Sequence, residues 1–500
     1  MRMEEYFLPF REGIIGIDQT IHTCYGRKKL LYADWTASGR CYGPIEKRFL
    51  NEIMPMVGNT HTETSSTGMA MTYAYHHAQK IIKKHVNAGK NDVIITSNSG
   101  MTGVVNKFQR ILGLKIHEKY SWHIEKKLEE RPVIFISHME HHSNQTSWLE
   151  TIAEVRIIDP NEEGLVCLEH FAHLLEEYKD RKVKIAAVTS CSNVTGIFTP
   201  YHEIARMIHG AGGYCFVDFA CSAPYVDINM HPDEPGTHLD AIYFSPHKFL
   251  GGPGSSGVLI FNSILYTNHI PDNPGGGTVD WTNPWGGHKY VDDIEAREDG
   301  GTPGFLQTMK TAMCVKLKEE MGTENILKRE HELVDILWDK LSQLENLHIL
   351  APNHKDRLGV ISFYIDQLHY NLGVKMLNDR FGIQSRGGCS CAGTYGHYLL
   401  NVAPDFSKEI TDRINLGDYS TKPGWIRISV HPTMTNEEVV NLGDAIVELA
   451  QKFPEWAQDY EPDFVHGYLA AKDEEADLQL KAEIENCLTR SFKEESQQLV

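Results

Sequence analysis

The sequence predicts an α/β protein in which a large domain with a mostly parallel sheet is followed by a smaller α+β domain. From about Asn91 to Ile260, short apolar runs of strand length alternate with amphipathic segments of helical period. From about Phe305 to Pro454, two long helical patterns precede shorter strand and helix patterns. Alternating strands and helices indicate a parallel sheet covered on both faces, with ligands beyond the carboxyl ends of its strands.

Seven apolar runs account for the strands of the predicted large sheet. They are Val93–Ser97, Val133–Ser137, Val155–Ile158, Ile185–Ser190, Tyr214–Val217, Ala241–Phe244 and Val258–Phe261. Helical patterns lie between several of them, including Leu168–Tyr178 and Tyr201–Ile208, and Pro200 suits the first turn of the second helix. This order of elements is typical of an α/β domain.

The rest of the chain divides into three kinds of segment. The smaller domain is expected to contain the helices Phe305–Met321, Glu324–Leu344, Leu368–Phe381 and Glu437–Lys452 and the strands Gly359–Tyr364 and Ile426–Val430. Pro271–Pro303, rich in Gly, Pro, Trp and Asp and without clear period, is expected to be a functional or disordered connection. The tail from Glu455 carries twelve acidic and four basic residues, which indicates a solvated, partly helical appendage.

Composition narrows the class of protein. The 500 residues include 48 Lys and Arg against 67 Asp and Glu, for a formal net charge of −19, with 41% hydrophobic residues. This is a globular composition, and the acidic balance argues against a nucleic-acid partner. No apolar run approaches the length of a membrane span, and the first residues, MRMEEYFLPF, do not match a signal peptide. We therefore expect a cytoplasmic protein without membrane or nucleic-acid partners.

The sequence Ser245-Pro246-His247-Lys248 directly follows the predicted strand Ala241–Phe244. A lysine at the end of a buried strand is costly to keep charged, so its pKa falls. A neutral amine can form a Schiff base with an aldehyde cofactor such as pyridoxal phosphate. A lysine in a surface loop is the common alternative, and the other groups at strand ends argue against it here.

Four other segments follow strands and carry matching chemistry. Thr96–Gly103 opens a helix, as a phosphate site or an ordinary helix cap would. Asp218 can pair with a pyridinium nitrogen or cap a helix, and His141 can stack on a flat ring, bind a metal or pack in the core. Asn193 can donate a hydrogen bond to a phenolic oxygen. Together these segments describe a site for a flat, phosphorylated ring.

In this order the motifs resemble the class V aminotransferase group of pyridoxal-phosphate enzymes, and most closely its cysteine desulfurase and selenocysteine lyase branch. The resemblance extends from Tyr32-Ala33-Asp34 to about Pro432, and its strongest motif is Ser-x-His-Lys at Ser245–Lys248. It implies the pyridoxal-phosphate-dependent transferase fold of type I, a homodimer, and conversion of L-cysteine to L-alanine. It also implies an N-terminal segment (1–60) that contributes to the small domain and substrate site, a large cofactor domain (61–304), a small domain (305–454) and the acidic tail (455–500).

The resemblance implies a role for each candidate residue. Lys248 binds the cofactor covalently and shares proton transfer with the ring-stacking His141. The other cofactor contacts are Asp218 at the pyridine nitrogen, Asn193 near the ring oxygen, Met101, Thr102, Ser245 and His247 at the phosphate, and Thr302 at the phosphate of the partner subunit. The substrate contacts are Arg386 at the carboxylate, with Asn59 and His61 nearby.

The chain departs from this branch at several positions. Cys221 stands where the branch has a glutamine that bonds the ring oxygen, and a thiol is a poor donor beside an amide. Gly103 stands where a glutamate follows the threonine of the phosphate loop. Extra residues at about Ile116–Arg131 and the Trp-rich Val279–Tyr290 are expected to remodel the entrance. These departures bear on the substrate more than on the cofactor.

Two of the ten cysteines lie together in RGGCSCAGTYGH. Cys391 lies five residues after Arg386, the spacing at which the desulfurase branch has the cysteine that accepts sulfur as a persulfide. The neighbouring glycines suit a mobile loop. Cys389 is either a resolving thiol for Cys391 or a packed thiol. A metal site formed with His397 lacks the second Cys/His pair of a structural zinc site, so no metal is expected.

Three functions remain open at this stage. A cysteine desulfurase with a sulfur-acceptor protein as partner is the first. A pyridoxal-phosphate aminotransferase, lyase or epimerase acting on another amino acid is the second. A binding protein that kept the fold without turnover is the third, and the complete Lys248, Asp218 and His141 set argues against it.

Overall fold

The computed structural model describes residues 2–123, 130–463, 468–471 and 474–492. The N-terminal segment contains α1 (Met3–Glu12), β1 (Thr20–Thr23), β2 (Gly26–Lys29), β3 (Leu31–Tyr32) and α2 (Gly43–Arg48). A short π-helical and 3-10 segment that ends at Met56 follows, and then α3 (Ser66–His85). Helix α3 begins where the hydroxyl of Ser65 accepts a hydrogen bond from the backbone N–H of Gly68.

A seven-stranded sheet lies at the centre of the molecule. Its strands are β4 (Asp92–Ser97), β5 (Val133–Ser137), β6 (Glu154–Ile158), β7 (Lys184–Thr189), β8 (Tyr214–Asp218), β9 (Ala241–Phe244) and β10 (Gly257–Asn262), in the spatial order β4-β10-β9-β8-β7-β5-β6. The pairs from β6 through β9 are parallel, whereas β10 is antiparallel to both β9 and β4. The prediction of a mostly parallel sheet is confirmed, and all seven strands lie where the apolar runs placed them.

Helices cover both faces of this sheet. They are α4 (Gly100–Ile111), α5 (His142–Leu149), α6 (Leu168–Glu177) and α7 (Tyr201–Gly210). In β5, Phe135 packs in the core cluster that contains Ile208 of α7, whereas Ile136 packs in the opposite cluster with Phe108 of α4. Because both faces are buried, these strands are continuous apolar runs rather than alternating ones.

The segment after β10 contains regular structure that the sequence does not predict. Strands β11 (Val279–Thr282) and β12 (His288–Tyr290) form an antiparallel pair, and the short helix α8 (Ile294–Arg297) follows, capped by Asp293. These elements are short and largely exposed. No apolar period therefore marks them in the sequence.

The C-terminal part contains a four-stranded antiparallel sheet in the order β13-β14-β17-β16. Its helices are α9 (Phe305–Met321), α10 (Thr323–Leu341), α11 (Tyr370–Phe381), α12 (Gly393–Leu399), α13 (Pro404–Asn415) and α14 (Asn436–Trp456), and its strands are β13 (Leu347–Ile349), β14 (Val360–Ile365), β15 (Ile383–Gln384), β16 (Arg386–Gly388) and β17 (Trp425–Ser429). Helix α14 begins with a capping box between Thr435 and Glu438, which the sequence does not predict beyond its Thr-Asn start.

The N-terminal segment packs against this C-terminal part. Strand β3 pairs in parallel with β15. Arg11 of α1 donates two hydrogen bonds to the Glu438 carboxylate at 2.7 and 2.6 Å. The backbone of Asp34 bridges to Ser429 at the end of β17. The division of the chain at residues 60, 304 and 454 stays a prediction.

The tail contains β18 (Tyr460–Asp463), β19 (Tyr468–Ala471) and α15 (Glu475–Thr489). Asp477 of α15 pairs with Lys375 of α11 at 2.9 Å, which ties this helix to the body. Residues 464–467, 472–473 and 493–500 of the predicted tail, and 124–129 of the predicted insertion, lie outside the described residues. Among the helices that are described, none combines the length and the apolar character needed to cross a bilayer.

Candidate active site

A cavity of about 230 Å³ lies at the carboxyl ends of β5, β7 and β8. Eleven of the residues predicted for the site line it: Met101, Thr102, His141, Asn193, Asp218, Cys221, Ser245, His247, Lys248, Arg386 and Cys391. Since β5, β7, β8 and β9 are parallel, their following loops meet at one edge of the sheet. The tertiary structure therefore brings together residues from distant parts of the chain.

Lys248 lies in a 3-10 turn, Pro246–Lys248, that directly follows β9. Pro246 starts this turn, and its carbonyl accepts the N–H of Phe249. Removal from water lowers the pKa of the Lys248 amine, and the positive charge of Arg427 lowers it further. The direction of this shift is the one that the sequence predicts for a lysine at this strand end.

Asp218 is the last residue of β8 and is buried beside Lys248. Its Oδ1 accepts a 2.8 Å hydrogen bond from the N–H of Ala220, and the carboxylate lines the cavity. Burial raises the pKa of Asp218 to about 6, although the Ala220 N–H and Lys248 act in the opposite direction. A cationic ring nitrogen in the cavity would restore the charged carboxylate.

His141 is held by the turn between β5 and α5. The preceding Glu140 is fully buried and accepts hydrogen bonds from Ser137, Asn144 and Thr189, which anchor the turn to the sheet. Nδ1 of His141 accepts the N–H of Ser143 at 3.1 Å, so the proton of the neutral ring is on Nε2. Burial lowers the pKa of His141 to about 3, and the positive charge of Lys248 is the second contribution.

The start of α4, predicted as the phosphate site, lies against Ser245 and Ser143. The Ser245 hydroxyl accepts a 2.8 Å hydrogen bond from the N–H of Met101, and Thr102 shares a 2.7 Å hydrogen bond with Ser143. Gly100 has a φ of +62°, and a Cβ there would lie 3.1 Å from the Ser245 hydroxyl. Backbone N–H groups and hydroxyls converge at this helix N-terminus, as phosphate binding requires.

Asn193 connects the cavity to the loop that carries the cysteines. Its Nδ2 donates a 2.8 Å hydrogen bond to the carbonyl oxygen of Ser390. Its Oδ1 is buried in the cavity wall with no hydrogen-bond partner among the described residues. Buried polar atoms are usually hydrogen-bonded, so this amide oxygen is free to accept a hydrogen bond from a bound ligand.

Cys221 lines the cavity together with Cys191, which the sequence analysis did not single out. The sulfur atoms of both residues lie close to the carbonyl oxygen of Ser192, at 3.6 Å for Cys221 and 3.7 Å for Cys191. The hydrogen bond from Cys191 lowers the pKa of Cys221, and Lys248 acts in the same direction. Two thiols therefore occupy the wall where the resemblance implies one amide side chain.

Two arginines share one carboxylate at the mouth of the cavity. Oδ2 of Asp34 accepts a 3.0 Å hydrogen bond from Nε of Arg386. Its Oδ1 accepts a 2.9 Å hydrogen bond from the guanidinium of Arg427. Arg427 is the buried member, and its Nε has no hydrogen-bond partner among the described residues. The sequence analysis missed Arg427, although a charged residue inside the apolar strand Trp425–Ser429 is the signal that would have found it.

The cysteine loop is more firmly held than its glycines suggest. Gly387 and Gly388 belong to β16, and positive φ angles occur at Gly388 (+110°), Ser390 (+51°) and Cys391 (+57°). The N–H of His142 donates to the carbonyl oxygen of Cys391 at 2.7 Å. Cys391 is exposed and also lines the cavity, whereas Cys389 is half-buried against the core. The thiol of Cys391 is therefore open to both the cavity and the solvent.

Three predicted site residues do not line this cavity. Asn59 and His61 are exposed, and the His61 ring lies near Gly277 in the connecting segment. Thr302 is exposed as well. His397 uses both ring nitrogens, at 2.7 Å from the Gly393 carbonyl and 2.8 Å from the Ser407 hydroxyl, so it does not join the cysteines. The roles predicted for Asn59, His61 and Thr302 stay predictions.

A half-buried lysine, a buried carboxylate and a helix start lie together at the carboxyl edge of a mostly parallel sheet, which is the arrangement of a transferase-type α/β enzyme with the fold of type I. The sequence profile of the aminotransferase class-V family matches residues 31–442. The chain belongs to that family, and the predicted resemblance is confirmed.

Individual relatives agree with this assignment. The chain is 29% identical over 338 residues to a probable cysteine desulfurase of Halalkalibacterium halodurans. The matched region covers 67% of this chain and 77% of the relative. It is 26% identical over 384 residues to a cysteine desulfurase of Haloferax volcanii, covering 75% and 83% of the two chains. The apo structure of a cysteine desulfurase from Thermococcus onnurineus NA1 superimposes on this chain with a TM-score of 0.72 at 24% identity. The match covers 90% of this chain and 99% of that one, and it confirms the fold.

Proposed function

We propose that this protein is a pyridoxal-phosphate-dependent cysteine desulfurase that converts L-cysteine to L-alanine and passes the sulfur to Cys391 as a persulfide. One observation carries the proposal: the half-buried Lys248 and the exposed Cys391 line the same cavity. The named desulfurases among the relatives support the same activity.

The residues present fit pyridoxal phosphate. The Lys248 amine would hold its aldehyde carbon, Asp218 its ring nitrogen, and the start of α4 with Ser245 its phosphate. The side-chain amide of Asn193, which lines the cavity, and the neutral face of His141 suit its ring. When bound, this cofactor supplies an electron sink that weakens the bonds to the substrate's Cα.

The protein's own groups would then hold and move protons. The neutral amine of Lys248 can take a proton from the substrate's Cα, since its lowered pKa leaves a lone pair available. His141 carries its proton at Nε2 and can donate it into the cavity. Arg427 and Arg386 would bind the substrate carboxylate, because the planar guanidinium fork matches that group.

Cys391 would act as the nucleophile. Its sulfur attacks the substrate's sulfur, an S–S bond forms, and the C–S bond breaks with its electron pair left on Cβ, which takes up a proton. The products are alanine and the Cys391 persulfide, and atoms and electrons balance without an external oxidant. Because Cys391 is exposed, a sulfur-acceptor protein could reach the persulfide from solvent.

A homodimer in the cytoplasm completes the proposal. Leu50, Met54, Val57, Met69 and Tyr73 are exposed, with Tyr73 exposed to 70%. They lie on the turns after α2 and on the first part of α3, which contact each other. Exposed apolar residues grouped on neighbouring elements are typical of a protein interface, and these five residues are called the apolar patch. In such a dimer Thr302, Asn59 and His61 would contribute to the neighbouring cavity.

The pair of thiols in the cavity wall favours a second candidate function. Cys221 and Cys191 change the wall beside Lys248, so another amino acid could be the substrate of an aminotransferase, lyase or epimerase. Spectral change with a non-sulfur amino acid and no change with L-cysteine would favour this alternative.

The decisive experiment measures alanine and sulfide from L-cysteine in the presence of a thiol reductant. We expect wild type and Cys389→Ala to be active and Cys391→Ala to lose about 10²-fold or more of its turnover. Equal turnover by Cys391→Ala and wild type would exclude Cys391 as the sulfur acceptor. Cys389→Ala is the matched control because it removes a thiol from the same loop.

A further inference from the structure

Two hydrogen bonds from a single histidine hold the cysteine loop on either side of Cys391. His142 is the first residue of α5 and directly follows His141. Its backbone N–H donates to the carbonyl oxygen of Cys391 at 2.7 Å. Its ring Nε2 accepts a 3.0 Å hydrogen bond from the N–H of Gly393, the first residue of α12. Together the two contacts fix the chain at Cys391 and again two residues later.

The next turn of α5 extends this attachment. Gln145 lies three residues after His142, on the same side of the helix. Its Nε2 lies 2.7 Å from Oγ1 of Thr394, and its Oε1 lies 2.9 Å from the same hydroxyl. Non-glycine residues rarely adopt the positive φ angles that Ser390 and Cys391 have, so the loop depends on contacts of this kind to keep its conformation.

The contact to Gly393 defines the tautomer of the His142 ring. A backbone N–H can only donate, so Nε2 of His142 carries a lone pair and the proton of the neutral ring is on Nδ1. The neighbouring His141 has the opposite tautomer, because its Nδ1 accepts the N–H of Ser143. A protonated His142 ring has no lone pair at Nε2. The ring contact to Gly393 therefore exists only while His142 is neutral.

The surroundings favour the neutral ring. His142 is half-buried, and burial lowers its pKa from the ordinary value of 6.5, with the positive charge of Lys422 as the second contribution. The other titratable groups beside it are the ring of His141 on its own helix, with centroids 6.3 Å apart, and Cys391 on the loop packed against it. No carboxylate is among these groups. The loop is therefore held at neutral pH.

We propose that His142 is a positioning residue that, in its neutral form, holds the Cys391 loop against the cavity and, once protonated, releases the Gly393 end of the loop. The proposal rests on the proposed role of Cys391 as the sulfur acceptor. His142 acts through this loop and not on the substrate. Its proton would connect the placement of the thiol to pH, with the loop held above the ordinary histidine value and released as pH falls below it.

The first test measures how accessible Cys391 is, in a Cys389→Ala background so that the loop has one thiol. The rate of Cys391 alkylation by iodoacetamide is followed by mass spectrometry at about pH 7.5. We expect His142→Leu to be alkylated about fivefold faster or more, because the Gly393 N–H loses its acceptor. Hydrogen exchange in the peptide 389–396 should become faster as well. His348→Leu is the matched control, since His348 is also half-exposed and makes one hydrogen bond, on β13.

The second test separates the proton-linked role from a merely structural one. His142→Gln places an amide oxygen that can accept the Gly393 N–H but does not titrate. We expect it to match wild type at about pH 7.5, whereas at about pH 5 the wild-type loop should exchange hydrogen faster than the His142→Gln loop. Unchanged alkylation and exchange in His142→Leu, or equal exchange in wild type and His142→Gln at both pH values, would overturn the proposal. Neither measurement needs turnover, so a wild type that forms no sulfide would count against the proposed function alone.

Discussion

The side-chain amide of Asn193 donates a 2.8 Å hydrogen bond to the backbone carbonyl of Ser390, the residue directly before Cys391. This contact joins the loop after β7 to the loop that carries the proposed sulfur acceptor. The same side chain presents its unpartnered oxygen to the cavity. Asn193 therefore connects the position of the cysteine to the site of the cofactor.

Replacement of Asn193 should uncouple the cysteine loop from the cavity. We expect Asn193→Ala to reduce kcat/KM for L-cysteine by about 10²-fold, because a small displacement of a reacting group has an effect of that size. Alkylation of Cys391 by iodoacetamide should become faster in the same variant. Unchanged kinetics and unchanged alkylation would show that this hydrogen bond does not position Cys391.

Removal of the Lys248 amine should prevent retention of the cofactor. We expect Lys248→Ala, purified and gel-filtered after incubation with pyridoxal phosphate, to lose the visible absorbance that wild type keeps. Lys316→Ala is the control, since Lys316 is a half-exposed lysine paired with Glu319. A Lys248→Ala protein that retained the same absorbance would contradict a covalent role for Lys248.

Arg427 should matter for both stability and substrate affinity. Arg427→Lys keeps the charge near Asp34 but loses the planar fork, so we expect KM for L-cysteine to rise about tenfold or more. Arg427→Leu leaves the buried Asp34 with Arg386 only and should lower the free energy of unfolding by about 3 kcal/mol. Chemical denaturation and steady-state kinetics measure the two effects, and Arg413→Lys on the surface should change neither.

Glu330 provides a test of stability against pH. It is buried, and burial raises its pKa from 4.5 to about 8. Between these pH values the folded state holds a proton that the unfolded chain releases. The contribution of Glu330 to the free energy of unfolding is therefore full below about pH 4.5 and is lost as pH rises toward 8. In Glu330→Gln the decline over this interval should be smaller than in wild type. Parallel stability curves from urea denaturation would contradict the raised pKa.

The exposed apolar patch predicts the oligomeric state. We expect Tyr73→Asp to convert the wild-type dimer to a monomer in sedimentation velocity, because a charge would have to be buried in the interface. Ile264→Asp is the matched control, since Ile264 is 69% exposed and lies outside the patch. A Tyr73→Asp protein that stays dimeric would place the interface elsewhere.

Much of the large sheet and of the site was predictable from local patterns. Val133–Ser137 and Ala241–Phe244 have the predicted bounds because strands buried on both faces are unbroken apolar runs. Asp218 and Lys248 were predicted because the ends of parallel strands supply ligand groups. The short pair β11 and β12 was not predicted, because exposed elements leave no apolar period.

The sequence by itself determined the fold class, the lysine, the aspartate, the histidine and the cysteine pair, because each of these signals lies within a few residues of a strand end. Only the tertiary structure decided which of these groups meet and which arginine is buried. Asp34 and Arg427 are 393 positions apart, and Asn193 and Ser390 are 197 apart. Contacts at such separations depend on how two sheets and the N-terminal segment pack, and short-range periodicity carries no information about that packing.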